Sequence, residues 1–182
     1  LNRNLIIASC SLLLISAPLL WHTLHPYQQQ RIMTLLSPED DKQHHGYHVY
    51  QSKVAIGSGG LLGKGIGNGT QVQLGYIPEH RTDFIFTLLS EELGFVGNVL
   101  WIILVQLIGF RCIYLGYKQS ACYNKLVCIT LGCNFMLNAW INMSMVSGLL
   151  PVVGIPLPLI SYGGTSFAVS LIGFALVLKL GH

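Results

Sequence analysis

Side chains that could carry out chemistry are gathered in one stretch of this sequence, residues 51–92. All seven acidic residues of the protein lie between Glu39 and Glu92, and seven glycines lie between Gly57 and Gly69. Carboxylates can transfer protons or hold cations. Basic side chains and the N–H groups of a glycine-rich backbone can bind anions. Ionisable residues in an otherwise apolar chain indicate a functional site, so the site is expected in this stretch.

Nucleotide-binding and metal-binding patterns are not matched there. GxxxxGK[ST] fails because position 58 is Ser and position 65 is Gly, and GxGxxG fails at Leu62 and Asn68. Four histidines in or shortly before this stretch have no regular ligand spacing, so no metal site is predicted from them: His44, His45, His48 and His80. The remaining interpretations of the glycine-rich segment are an anion-binding backbone or a flexible linker. Interleaved Val, Leu and Ile residues argue against a solvated linker.

Composition indicates a membrane protein. Of the 182 residues, 52% are hydrophobic and 9% charged, whereas soluble domains carry about 25% charged residues. The net charge of +3 gives no indication of nucleic-acid binding. The five cysteines lie in or beside apolar segments with no CxxC pair, which argues against a disulfide framework or a zinc site.

The predicted fold is an all-α integral membrane protein with about four transmembrane helices and a large extracytoplasmic glycine-rich loop. The spans are expected near residues 5–21, 93–117, 126–147 and 165–181, and the loop near 22–92. Residues 22–36 form either an interfacial helix or a plain surface helix, and 51–83 form the glycine-rich segment proper. A buried core helix is the alternative for 5–21.

Two features of the later segments bear on packing. The third span carries small and polar residues, which favour close helix contacts: Gly132, Asn134, Asn138, Asn142 and Ser144. Residues 148–164 contain three prolines and are apolar. Irregular backbone at membrane depth is tolerated only where it is buried in protein or lines a cavity.

The distribution of basic residues predicts orientation. Arg3, Arg111, Lys118, Lys125 and Lys179 share one side of a four-span chain, and the positive-inside rule makes that side cytoplasmic. The acid-rich loop and the proline-broken segment then share the outer side, so they could meet.

The motifs resemble the SEDS family (shape, elongation, division and sporulation proteins), and within it the RodA branch more than the FtsW branch. They include AIGSGGL at 55–61, GKG at 63–65, Gly69-Thr70-Gln71, TDFIF at 82–86, Glu91-Glu92-Leu93-Gly94 and LLPVVGIPLPLISYGG at 149–164. Essentially the whole chain is covered, and it matches the last four of the family's ten spans. Residues 41–45 and the order His80-Arg81 depart from the family pattern.

The resemblance implies a peptidoglycan glycosyltransferase that polymerises lipid II during cell elongation. Such a protein is a multi-pass protein of the bacterial cytoplasmic membrane and works beside a class B penicillin-binding protein. The proposed catalytic acid of the family matches Asp83. No cofactor is assigned, and a divalent cation, Mg²⁺ or Mn²⁺, stays open as an alternative.

Substrate-binding candidates follow from the same motifs and from the chemistry of a pyrophosphate leaving group. They are Lys53, Ser58, Lys64, Gln71, Glu79, Arg81, Glu91, Glu92, Ser161 and Tyr162. For several of these residues a purely structural role is the alternative. Asp83 could be a helix-capping or first-turn acid, Glu91 and Glu92 a structural pair, Lys64 a surface charge, and Ser161-Tyr162 a helix-start turn.

Two other functions stay open. A flippase for the lipid-linked precursor would usually place ionisable residues inside its spans, whereas here they lie near the span ends. An inactive remnant is the other possibility, because four spans of ten leave a substrate cavity without half of its wall.

Overall fold

The structure, a computed structural model, describes residues 21, 23–36, 45–70 and 82–181. Within these ranges the chain is helical and contains no strand. Its helices are α1 (Pro26–Leu36), α2 (His45–Ser58), α3 (Ile85–Tyr117), α4 (Cys122–Val146) and α5 (Gly164–Gly181). By length and composition α3, α4 and α5 could each cross a membrane. The predicted all-α membrane architecture is therefore confirmed, while the predicted span 5–21 lies outside the described residues.

Helix α2 corrects the sequence-based boundaries, which placed residues 51–58 in an irregular segment. Val49, Ser52 and Ala55 recur at helical spacing and are buried, so one face of α2 packs inward. The Ser52 hydroxyl lies 2.8 Å from that of Thr87 and donates to the carbonyl of Val146 at 2.9 Å. These tertiary contacts stabilise a helix whose glycines, Gly46 and Gly57, suggested a loop.

The helix that contains the predicted span 93–117 begins at Ile85, and it is broken at Gly94. Gly94 has φ 66° and ψ −163°, far from helical values. The Asn98 amide donates to the Ser90 hydroxyl at 2.9 Å, although residues eight apart in a continuous helix are separated by about 12 Å. The chain therefore bends sharply at Gly94. Helix α3 consists of a short arm, residues 85–93, and a spanning part, residues 95–117.

The glycine loop, residues 59–70, fills this break with its own backbone. In an unbroken helix the amides of Phe95 and Val96 would bond the carbonyls of Glu91 and Glu92. Instead Phe95 N–H donates to Gly60 O at 2.9 Å and Val96 N–H to Leu61 O at 3.1 Å. In return, the amides of Lys64 and Gly65 donate to the carbonyls of Glu91 and Glu92, each at 3.0 Å. The loop thus replaces two severed helical hydrogen bonds with four bonds between segments.

Glycine is required where the two backbones approach most closely. A Cβ at Gly63, which has φ +77°, would collide with the carbonyl of Glu92, and a Cβ at Gly94 would collide with the amide of Gly63. The glycine-rich composition therefore serves both close approach and left-handed backbone. This packing excludes the flexible-linker alternative for residues 59–65.

Small residues also bring α3 and α4 together. A Cβ at Gly132 would lie 2.9 Å from the Cβ of Cys112 and 3.0 Å from the carbonyl of Gly109, and a Cβ at Gly116 would lie 3.0 Å from that of Cys128. Such contacts are typical of helix pairs in membranes. The expectation that the small residues of this span mediate helix packing is confirmed at Gly132.

We expect Gly63→Ala to destabilise the protein more than Gly67→Ala. Both glycines have left-handed φ, +77° and +80°, but a Cβ added at Gly67 would meet nothing within 4 Å, whereas one added at Gly63 would meet backbone. Gly67→Ala should lose about 1–2 kcal/mol from backbone strain, and Gly63→Ala about 1–3 kcal/mol more from overpacking. Thermal unfolding in detergent micelles measures the difference. Equal midpoints for the two variants would contradict the close packing of the loop.

Candidate functional site

Asp83 lies half-buried immediately before the arm of α3. Its main-chain carbonyl accepts a hydrogen bond from the side-chain amide of Asn142 at 2.8 Å, and the same amide donates to Ile155 O at 2.6 Å. The carboxylate lies over Gly154, where an added Cβ would be 3.1 Å from Oδ2. The residue at the cap position of α3 is Phe84, with no side-chain cap hydrogen bond. Asp83 is thus held between α4 and the proline-containing segment.

The proline loop, residues 147–163, is bound to the same point by Ser161. Ser161 is 7% exposed, and its hydroxyl donates to Thr82 O at 2.7 Å and accepts from the amide of Leu157 at 2.6 Å. The segment that carries Asp83 and the proline loop are therefore in contact, as expected from their predicted location on the same side of the membrane. Both bonding roles of Ser161 are structural, and Tyr162 beside it is 83% exposed.

Lys53 borders the other end of the proline loop. It projects from α2 with its side chain exposed, and the end of that side chain packs against Gly148, where a Cβ would clash with Cε. Five residues earlier on α2, the ring of His48 meets that of Phe84 edge-on, with 6.4 Å between the ring centres. Asp83 and Lys53 thus border one irregular segment, and we call this group the Asp83 site.

A second group of residues lies where the glycine loop meets the arm of α3, and we call it the latch: Lys64, Thr70, Glu91 and Glu92. The Lys64 ammonium lies 2.7 Å from Oε1 of Glu91, a side chain with no exposed surface, and donates to the Thr70 hydroxyl at 2.8 Å. The Thr70 hydroxyl donates to the same Glu91 oxygen at 3.0 Å. Glu92 accepts from the amide of Gly67 at 3.0 Å. The latch therefore fastens the glycine loop to the arm of α3.

The latch changes the interpretation of several candidates. Lys64 was expected at a pyrophosphate, but its ammonium is taken up by Glu91 and Thr70. Both Glu91 and Glu92 contact the glycine loop, although adjacent helical residues diverge, because the loop wraps around the broken helix end. Ser58 donates to Ala55 O within its own helix at 2.8 Å. Gln71, Glu79 and Arg81 lie outside the described residues.

Asn142 is the residue that sequence reasoning placed in helix packing but not at the site. It is fully buried and holds two loop carbonyls. The sequence does contain an indication that Asn142 has a specific role, because a side-chain amide in an apolar span needs a hydrogen-bond partner. Which partner it has depends on two segments that are 13 and 59 residues away, and this the sequence does not show.

A divalent cation at the acidic residues is an alternative that the sequence leaves open. Within the described ranges, no group of three or more His, Cys, Asp or Glu side chains is arranged to hold a metal ion. The nearest candidate, Glu91, presents one carboxylate oxygen to the Lys64 ammonium instead.

Comparisons with known proteins agree with the sequence motifs. The family model for FtsW, RodA and SpoVE, described as cell cycle protein, matches residues 1–182. Over 164 residues the chain is 46% identical to the peptidoglycan glycosyltransferase MrdB of Escherichia coli (strain K12), a match that covers 90% of this chain and 44% of MrdB. It is 38% identical to the stage V sporulation protein E of Bacillus subtilis, over 86% of this chain and 43% of that protein.

A solved structure shares the fold. The chain superposes with a TM-score of 0.74 and 28% identity on a chain from work titled "Structural coordination of polymerization and crosslinking by a peptidoglycan synthase complex". The match covers 98% of this chain and 48% of the other. The chain therefore spans less than half the length of the relatives it matches.

The latch predicts a strong dependence of stability on both of its charges. Lys64→Met leaves a carboxylate buried without its cation and should destabilise the protein by about 3 kcal/mol. Adding Glu91→Gln removes the stranded charge, so the double variant should be more stable than Lys64→Met alone. Lys53→Met, at an exposed lysine, is the control and should change little. Thermal unfolding in detergent measures all three, and additive effects of Lys64→Met and Glu91→Gln would contradict the pairing.

Asn142→Leu should disrupt the support of Asp83. It leaves the carbonyls of Asp83 and Ile155 without their donor, at about 1–3 kcal/mol for each buried group. Asn138→Leu is the matched control, because the Asn138 amide donates at 2.7 Å to Asn134 one turn away on the same helix. The unfolding midpoints should fall clearly for Asn142→Leu and only slightly for Asn138→Leu. The reverse order would show that Asn142 does not support the site.

Proposed function

The chain belongs to the FtsW/RodA/SpoVE family, and from this premise we propose that it carries the polymerising site of a peptidoglycan glycosyltransferase. The proposed reaction joins lipid II units into glycan strands during cell elongation. Relatives named peptidoglycan glycosyltransferase support it, among them MrdB at 46% identity. Because the chain covers 44% of MrdB, the activity is proposed for this chain together with the remaining length of such a protein.

Asp83 is the proposed general base. In the proposed step it accepts the proton of a sugar hydroxyl while the hydroxyl oxygen forms a bond to an anomeric carbon. The bond from that carbon to the lipid pyrophosphate breaks, and the pyrophosphate leaves with the electron pair. The observation that carries the assignment is the position of Asp83, a half-buried carboxylate over Gly154 with its backbone held by Asn142. A base held in this way keeps its geometry towards a bound substrate.

The leaving pyrophosphate needs positive charge close to Asp83. Lys53 is the described candidate, because it is exposed and borders the same proline loop. Arg81, two residues before Asp83 in the sequence, is the second, since a guanidinium suits phosphate oxygens. Lys64 is assigned to the latch instead. A divalent cation that assists at the pyrophosphate stays part of the proposal as an untested alternative.

The setting of the site suits a membrane-bound substrate. Arg111, Lys118, Lys125 and Lys179 lie at the ends of the spanning helices away from Asp83, and the positive-inside rule assigns those ends to the cytoplasm. The Asp83 site would then face outward, where lipid II is polymerised. The complex named for polymerization and crosslinking supports a class B penicillin-binding protein as the partner.

A flippase is the second candidate function. It would be favoured by ionisable side chains midway along the spans. In the described spans the charged residues lie towards the ends, Arg111 and Lys125 next to the α3–α4 turn and Lys179 in the last turn of α5. This distribution supports chemistry at the membrane surface over translocation.

Asp83→Asn should abolish polymerisation without preventing substrate binding. The amide cannot accept the proton, and general base catalysis typically contributes about 10²–10⁴-fold. The assay is lipid II polymerisation in proteoliposomes by this chain co-expressed with a matching N-terminal half, with glycan length read on a gel. Glu92→Gln is the control, because a glutamine oxygen can still accept from the Gly67 amide. Retained polymerisation by Asp83→Asn would refute the assigned base.

The same assay tests whether this chain is active alone or only together with a matching N-terminal half. We expect product only when both halves are inserted together, because only then is the wall of the substrate cavity complete. Product from this chain alone would show that the site is self-contained. No product with both halves and a class B penicillin-binding protein present would favour the inactive remnant, and transport of labelled lipid II without polymerisation would favour the flippase.

A further inference from the structure

The tip of the glycine loop has the reverse polarity of a water-exposed loop. Leu61, Leu62 and Ile66 are 72%, 81% and 83% exposed. The one charged side chain of this loop, Lys64, directs its ammonium to the buried Glu91 carboxylate. A loop in water places its charges outside and its aliphatic side chains inside. An arrangement with the charges inside is expected where the surroundings of the loop are apolar.

The depth of the glycine loop in the membrane can be inferred from the side chains at the opposite end of α3. Arg111 and Lys118 lie 5.6 Å and 4.8 Å from the ring centre of Tyr114, and Lys125 lies 4.8 Å from that of Tyr117. Basic and aromatic side chains of this kind concentrate at membrane interfaces. A hydrocarbon core of about 30 Å corresponds to about twenty helical residues, and counting back from Tyr114 by that number reaches Gly94. The break that holds the loop therefore lies at the other boundary of the hydrocarbon core.

The apolar surface of the tip continues along the spanning part of α3. An exposed stripe runs at helical spacing from the loop contact to the aromatic interface: Val96, Leu100, Ile103, Leu107, Phe110 and Tyr114. Its first member is bonded directly to the loop, through Val96 N–H and Leu61 O at 3.1 Å. The aliphatic tip thus adjoins the exposed apolar face of the span.

We propose that the tip of the glycine loop inserts Leu61, Leu62 and Ile66 among the acyl chains of the adjacent lipid leaflet. The loop is then a membrane anchor as well as a filler of the helix break. Because the latch and two backbone bonds join the loop to the arm of α3, and two further backbone bonds join it to the spanning part, the anchor sets the height of the arm relative to the bilayer. The inference rests on polarity and depth alone and does not depend on the proposed glycosyltransfer.

Site-directed spin labelling tests the insertion in the reconstituted full-length protein. A nitroxide is attached to Leu62→Cys or Ile66→Cys, with native cysteines replaced by alanine, and its collision rates with oxygen and with a water-soluble nickel chelate are measured in liposomes. Ser120→Cys, in the exposed turn between α3 and α4, is the water reference, and lipids labelled along the acyl chain calibrate depth. Unchanged thermal unfolding confirms that each labelled variant is folded.

Insertion predicts that oxygen relaxes the labels at positions 62 and 66 more than the nickel chelate does, with depths inside the hydrocarbon boundary, while the label at position 120 shows the opposite ratio. Nickel collisions at 62 and 66 as frequent as at 120 would place the tip in water and overturn the proposal. Low collision rates with both reagents would also overturn it, because they would mean that protein rather than lipid covers the tip.

Discussion

The severed backbone hydrogen bonds at Gly94 are the constraint on which the rest of the structure depends. Buried amides and carbonyls without partners are costly in an apolar environment, so a helix can break at the membrane boundary only if other groups replace the lost bonds. The glycine loop supplies them, with two carbonyls and two amides placed where the helix lacks its own. The break lets the arm of α3 bend away from the axis of the spanning part, and Asp83, just before the arm, contacts Asn142 and the proline loop.

Buried polar side chains hold the irregular segments in place at this end of the helices. Ser52 joins α2 to Thr87 and Val146, Asn142 joins α4 to Asp83 and Ile155, and Ser161 joins the proline loop to Thr82. Each of these side chains bonds a main-chain carbonyl near a helix end or in a loop. In an apolar core such bonds hold strongly, because water does not compete for either partner. A reacting group that rests on them is positioned by the protein rather than by solvent.

Among the described residues of the stretch 51–92, the lysines and acidic residues therefore divide into two roles. The latch residues, Lys64, Glu91 and Glu92, are engaged with the glycine loop and keep the arm of α3 in place. The Asp83 site keeps a carboxylate and a lysine at the surface of the proline loop, where a substrate could reach them. The division also explains why charged residues concentrate in one stretch of an apolar chain: the latch residues build the support on which the Asp83 site is carried.

The sequence by itself determined the fold class, the three described spans and the family, because hydrophobic length and short motifs are local properties. It also indicated that the acid-rich and proline-rich segments share one end, since basic residues mark the other. It did not determine that residues 45–58 form a helix, that Lys64 pairs with Glu91, or that Asn142 supports Asp83. These features depend on contacts between segments that are distant in the sequence. The local pattern of glycines and charges is equally compatible with an open anion-binding loop, and only the tertiary structure shows that the amides of Lys64, Gly65 and Gly67 bond Glu91 and Glu92.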